Sequence, residues 1–118
     1  MGKYYIHPSA IVETDHIGVD TRIWAFVHIL KGASIGSNCN ICDHCFIEND
    51  VSIGNNVTLK SGIYIWDGAI IEDFVFLGPN VVLTNDLRPR SKAFHKKPEK
   101  ILIKKYASIG ANSTLLCG

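Results

Sequence analysis

Isoleucine or leucine returns at every sixth position from Ile11 to Leu83: Ile11, Ile17, Ile23, Ile29, Ile35, Ile41, Ile47, Ile53, Leu59, Ile65, Ile71, Leu77 and Leu83. A second register, four residues after each, is small or β-branched, running from Thr21, Val27 and Ala33 through Cys39 and Cys45 to Val75 and Val81, with Asp15 as the exception. Between the two registers stand mostly Gly, Asn or Asp, among them Asp20, Gly32, Asn38, Asp50, Asn56, Gly62, Gly68 and Asn80. These residue types accept positive φ or bond locally in turns. A helix repeats at about 3.6 residues and a flat strand at about 2, and this pattern fits neither alone. The six-residue unit therefore reads as a short strand, a corner and another short strand. Three units make a triangular coil of eighteen residues, which predicts one column of Ile11, Ile29, Ile47 and Ile65, a second of Ile17, Ile35, Ile53 and Ile71, and a third of Ile23, Ile41, Leu59 and Leu77. Such a period is the signature of a parallel β-solenoid, each coil buried on its neighbours.

The period breaks after Thr84 and resumes at Ile103, Ile109 and Leu115. If Ile103 fills the slot that Pro89 would have taken, fourteen extra residues protrude from one corner, an excursion spanning about residues 85–100 of a single domain over 1–118. Irregular loops on rigid repeats are where binding and catalysis concentrate. This one carries Arg88, Arg90, Lys92, Lys96 and Lys97 ahead of Glu99, a charge suited to a phosphate or diphosphate. Trp24, Phe26, His28, His44 and Phe46 interrupt the polar outer surface and are expected to meet another subunit, while Tyr64 and Trp66 are expected at a subunit seam or on the wall of a ligand cleft. Tyr64 and Trp66 bracket Ile65, so strand alternation sends both rings outward.

Composition narrows the function. A net charge of +1, with the basic residues outside any stripe, argues against nucleic acid. No apolar run approaches the length of a membrane span and none reads as a secretory leader, which favours the cytoplasm and no membrane partner. Cys39 and Cys45 occupy the small inward register, so they read as small hydrophobes and the short spacing of Cys39, Cys42 and Cys45 is not read as a metal site.

The chain resembles the hexapeptide-repeat acyltransferases along essentially all its length, and more narrowly the nucleotide-linked amino-sugar N-acetyltransferases. The narrower resemblance rests on His7-Pro8, on Trp24, Phe26, His28 and Ile29, on Glu72, Asp73, Val75, Phe76, Gly78 and Pro79, and above all on Thr84, Asn85, Asp86, Pro89 and Arg90. It implies an all-β fold, a left-handed parallel β-helix, assembled as a homotrimer with active sites between subunits. Acetyl-CoA would be the cosubstrate, lying along the coils, with Gly78, Lys104, Ala107, Gly110 and Ala111 as the positions against it. The acceptor would be a nucleotide sugar with a free amine, feeding a surface polysaccharide. Relatives continue for at least another coil past the position of Gly118, so the last coil is expected to be incomplete. Carbonic anhydrases share the fold, but zinc needs converging histidines, and His28 and His44 are sixteen rather than eighteen apart; no metal is expected.

Acyl transfer to an amine needs the amine unprotonated and a donor for the tetrahedral oxyanion. Asn85 can accept from the amine or donate through its amide, Asp86 can orient the sugar or take a proton, and His95 is the rival base. Backbone N–H groups at Gly78 or Gly110 are candidate oxyanion donors. Tyr64, Trp66, Arg88 and Arg90 are expected on the acceptor. O-acetylation, and a non-catalytic trimeric scaffold, are the alternative functions.

Overall fold

The computed structural model describes residues 3–93 and 97–118. Every regular element among them is a short strand, most of two residues, and all strand pairs are parallel. One face stacks Tyr5–Ile6, Arg22–Ile23, Asn40–Ile41, Thr58–Leu59, Phe76–Leu77 and Ser108–Ile109. The second stacks Ile11–Val12, His28–Ile29, Phe46–Ile47, Tyr64–Ile65, Val82–Leu83 and Thr114–Leu115. The third holds Ser34–Ile35, Ser52–Ile53, Ala69–Ile71 and Ile101–Ile103, with Ile17 bridging to Ile35 below. This is the three-faced parallel β-helix with one long excursion, the left-handed class that the sequence resemblance implies.

The inward register is the core. Ile23, Ile29, Ile41, Ile47, Leu59, Ile65 and Leu77 are fully buried, and Val27, Ala33, Cys39, Cys45, Val57, Val75 and Val81 fill the space between the large columns. Each aliphatic side chain taken out of water contributes about 1.5–3 kcal/mol against chain entropy. Thr21 is the polar member of the small register, and its fully buried hydroxyl donates to Gly36 O at 2.6 Å and accepts from the Cys39 N–H at 3.1 Å. The thiols take similar roles, Cys39 Sγ donating to Gly54 O and Cys45 Sγ to Lys60 O. All four cysteines are free.

The first coil departs from the expected register. Val12, not Ile11, lies opposite Ile29, while Ile11 pairs with His28 and is 59% exposed. The partners here are seventeen positions apart, as are Ile6 and Ile23, whereas Ile17 and Ile35 are eighteen apart. Thr14 explains the exception at Asp15: it turns inward in that residue's place, donating its hydroxyl to Ala33 O at 2.6 Å and accepting from the His16 N–H at 3.0 Å. An Asp there would bring a charge into the core without a counter-ion.

Two corners of most coils, and all three of the coil through Asn56, Gly62 and Gly68, turn through the left-handed region. Asp20, Asn38, Asn56, Asn80 and Asn112 do so, together with Gly62 and Gly68. Gly32 and Asp50 do not; their corners are held by side chains, the Gly32 N–H donating to Asn49 Oδ1 and the Asp50 N–H to Asp67 Oδ1. Phe26, His44, Phe74 and Tyr106 also adopt positive φ, which costs a bulky side chain on the order of 1 kcal/mol. They do so in stacked pairs. The Phe26 and His44 rings lie 5.2 Å apart at 14°, and those of Phe74 and Tyr106 4.9 Å apart at 16°, contacts of the size needed to offset the strain.

Above the break the repeat returns as expected. Ile103 pairs with Ile71, Ile109 with Leu77 and Leu115 with Leu83, each thirty-two positions apart, so fourteen residues are added to one coil.

Candidate active site at the foot of the loop

On the second face, backbone N–H groups just past a strand bond upward to the next coil: Glu13 to Ile29 O, Leu30 to Ile47 O, Glu48 to Ile65 O. At the next step the carbonyl of Leu83 is taken instead by the indole N–H of Trp66, at 2.8 Å. One coil higher, Leu115 O accepts from the Thr84 hydroxyl at 3.2 Å, and that hydroxyl in turn accepts from the Cys117 N–H at 3.1 Å. Side chains thus make two successive rungs where the chain leaves the coil for the loop.

Asn85 follows directly. Its Nδ2–H donates to Asp67 O at 3.2 Å, its own carbonyl accepts from the Glu99 N–H at 3.0 Å, and Ile101 N–H donates to Gly68 O. Both feet of the loop are therefore tied to the corner at Asp67-Gly68, where φ is +98° at Gly68, a conformation L side chains rarely adopt. A carbonyl can only accept, which fixes the orientation of the Asn85 amide and turns its Oδ1 away from Asp67. Asp67 is itself held, its N–H donating to Glu48 Oε1 at 2.8 Å and its carboxylate capping Asp50. The acidic residues beside Tyr64 and Trp66 are in this way used to build corners; Asp73 likewise accepts from the Asn55 N–H.

Asp86 is half-buried and accepts from the Arg88 N–H at 2.9 Å. Arg88 and Arg90 are exposed, and the Arg90 guanidinium donates to Pro89 O. His95 lies outside the described residues. Tyr64 is 49% exposed beside Trp66, their ring centres 6.0 Å apart, and together they line a groove of about 240 Å³ with Gly62, Asn80, Val82 and Leu83. Trp66 corrects the expectation from alternation: it is half-buried and packed against the core, because it lies past the strand and at the corner. Trp24 differs in the same way, half-buried with its indole N–H on Asn40 Oδ1 at 2.6 Å. Phe26, at 61%, is exposed, while His28 pairs with Glu13 at 2.9 Å.

The five expected coenzyme positions separate into two groups. Gly78, Gly110 and Ala111 sit on the corner between the first and second faces; Lys104 and Ala107 sit on the corner before the first face. Gly78 is buried, its N–H donates to Ile109 O at 2.9 Å, and a Cβ there would lie 2.7 Å from Ala111 N. This N–H is committed to the ladder and is not free for an oxyanion; the glycine is required by close approach of the coils. Gly110 and Ala111 are exposed, as is Lys104.

Burial pushes the Cys45 thiol up to about 11 and raises Cys39 and Cys42 as well, outweighing the nearby Lys60 ammonium at Cys42. None of these three is tuned toward a reactive thiolate. Among the described residues no group of three His, Cys, Asp or Glu could hold a metal ion, and no helix is long and apolar enough to cross a membrane. Sequence reasoning did not find the main-chain carbonyl of Asp67, the Thr84 hydroxyl or the Glu99 N–H as parts of this foot. Main-chain acceptors carry no residue-type signal, although a Trp-Asp-Gly corner eighteen residues before Thr84-Asn85 places them one coil apart.

Comparison with known proteins matches residues 16–49 and 50–85 to the family described as bacterial transferase hexapeptide (six repeats). Over 38 residues the chain is 71% identical to dTDP-3-amino-3,6-dideoxy-alpha-D-galactopyranose 3-N-acetyltransferase of Aneurinibacillus thermoaerophilus, covering 32% of this chain and 20% of that protein. An alignment of 133 residues with the bifunctional protein GlmU of Thermodesulfovibrio yellowstonii is 29% identical and covers 93% of this chain and 26% of that one. Acyl-[acyl-carrier-protein]--UDP-N-acetylglucosamine O-acyltransferase of Brucella ovis is 33% identical over 55 residues, 46% of this chain and 20% of that one. The chain thus spans 20% to 26% of the length of these three relatives.

Proposed function

Because this chain belongs to the bacterial hexapeptide-repeat transferases, we propose that it is an acetyl-CoA-dependent acetyltransferase acting on the amine of a nucleoside-diphosphate amino sugar. The observation that carries the reading is the fixed Asn85 amide, with its N–H on Asp67 O and its oxygen an acceptor without a partner among the described residues, at the foot of a basic loop. The neutral amine attacks the thioester carbon, the carbonyl pair moves to oxygen, and collapse breaks the C–S bond. The ammonium proton formed on nitrogen leaves with the departing thiolate, giving amide and thiol. As the C–N bond forms, the N–H becomes more acidic, so its hydrogen bond to Asn85 Oδ1 is stronger in the transition state than in the ground state.

Arg88 and Arg90 suit the diphosphate and Tyr64 the sugar, while Asp86 and His95 are the further candidates for proton movement. Gly110, Ala111, Lys104 and Ala107 line the coenzyme path, with Gly78 shaping it through its missing side chain. Three copies associate through the second face, whose outward column of Ile11, His28, Phe46, Tyr64 and Val82 is largely apolar and runs to the loop foot. Both substrates are cytoplasmic metabolites, which assigns the reaction to the cytoplasm, at a step that supplies an N-acetylated sugar for a surface polysaccharide.

The test is acetyl transfer to matched nucleotide sugars bearing an amine or a hydroxyl at the same carbon. Amine turnover is expected to dominate, and Asn85→Ala to lower kcat by roughly 10²-fold with the coenzyme KM little changed. Preference for the hydroxyl sugar would instead favour the O-acylation to which the Brucella ovis relative's name points. Self-association without turnover of either would leave only a scaffold.

A further inference from the structure

Among the described residues the main-chain ladder of the second face passes to side chains at two successive steps past its strands, and the first of them is at Trp66: Leu83 O is bonded by the Trp66 indole and not by a backbone N–H, and Tyr64–Val82 is the one register pair between those two strands. One coil down, the same two columns keep both register pairs, Tyr64 with Phe46 and Ile65 with Ile47. The departure begins where the strand ends at Leu83, two residues before Asn85. Leu83 itself keeps its place in the column, buried and paired with Leu115, and the next two side chains, Thr84 and Asn85, bond to Leu115 O and Asp67 O in turn.

We propose that Trp66 is a positioning residue, which rests on the acetyltransferase reading of Asn85: its N–H and the Asp67 carbonyl form a two-point clamp that aims the Asn85 Oδ1 at the acceptor amine. The ring was expected to wall the ligand. Its burial against the core and its spent N–H make it part of the mount, while exposed Tyr64 remains the ring that faces outward. A hydrogen bond to a reacting group is useful only while its direction is held, so a small rotation of the Asn85 backbone lowers turnover without removing any group that touches substrate. The clamp ties both feet of the loop as well, since Asn85 O receives the Glu99 N–H.

The experiment uses Trp66→Phe, which keeps an aromatic ring at the corner and removes the donor, with Trp24→Phe as the matched loss of an indole N–H from Asn40 on a lower coil. Acetyl transfer from acetyl-CoA to dTDP-3-amino-3,6-dideoxygalactose is measured with amide hydrogen exchange at Glu99. Trp66→Phe is expected to lower kcat about tenfold, leave both KM values within about twofold, and speed exchange at Glu99; Trp24→Phe should do neither. Wild-type kcat in Trp66→Phe, or a raised acceptor KM at unchanged kcat, overturns the proposal, the second result returning Trp66 to the ligand wall. If the wild-type protein transfers no acetyl group, the reading of function fails separately. Exchange at Glu99 then decides the clamp alone, and unchanged exchange in Trp66→Phe rejects it.

Discussion

Thr21 and the buried thiols show how little polar chemistry this core tolerates and how each exception is satisfied. Replacing Thr21 by Val keeps the shape but strands the Gly36 carbonyl and the Cys39 N–H, so we expect a loss of about 1–3 kcal/mol in urea unfolding. A cost near zero would mean that the coils re-pair without the hydroxyl. Cys45 makes a pH prediction. Its thiol is raised from 9.0 to about 11 by burial, so the folded state holds its proton where the unfolded state has lost it. The associated stability is full below about pH 9 and is lost as pH climbs toward 11, a range worth roughly 2–3 kcal/mol at most. Iodoacetamide at pH 8 should accordingly modify half-buried Cys42 well before Cys39 and Cys45, with peptide mapping as the readout.

At the scale of the strand and corner, backbone conformation decides which substitutions are tolerated. Asn56 turns at φ 60° and accepts from the Asn38 side-chain amide at 2.8 Å. Asn56→Gly should be close to neutral, whereas Asn56→Val, β-branched in the left-handed region, should cost on the order of 2 kcal/mol; thermal melts compare the two directly. Equal melting points would mean the corner can abandon its turn. The turn residues were legible because Asn, Asp and Gly advertise positive φ. Phe26, His44, Phe74 and Tyr106 were not, since an aromatic residue gives no local hint of that conformation and is held there by a ring one coil away.

For the whole molecule the prediction is assembly. The exposed apolar column on the second face begins at Ile11, far from the loop, so Ile11→Glu tests association without touching the proposed chemistry. Sedimentation equilibrium should give three times 13.0 kDa for the parent chain, and the charged variant should dissociate at least about tenfold more readily because an unpaired carboxylate would be buried. A parent chain that sediments as a monomer at micromolar concentration would remove both the interface and the shared cleft.

The period of six, read from composition at each position, determined the number of faces, the inward columns from Ile17 upward and the fourteen-residue excursion, because burial inside a narrow coil constrains every inward residue locally. It also singled out Asn85, through the point at which the pattern stops. Only the tertiary structure decided that the first coil is one residue short and inverts Ile11 and Val12, that Trp66 packs half-buried against the core, and that the Gly78 N–H is spent on Ile109. Each of these depends on contacts between coils seventeen to thirty-one residues apart. Main-chain acceptors are the same at every residue, so residue type does not mark the one that Asn85 reaches, and only the eighteen-residue coil spacing places Asp67 beside it.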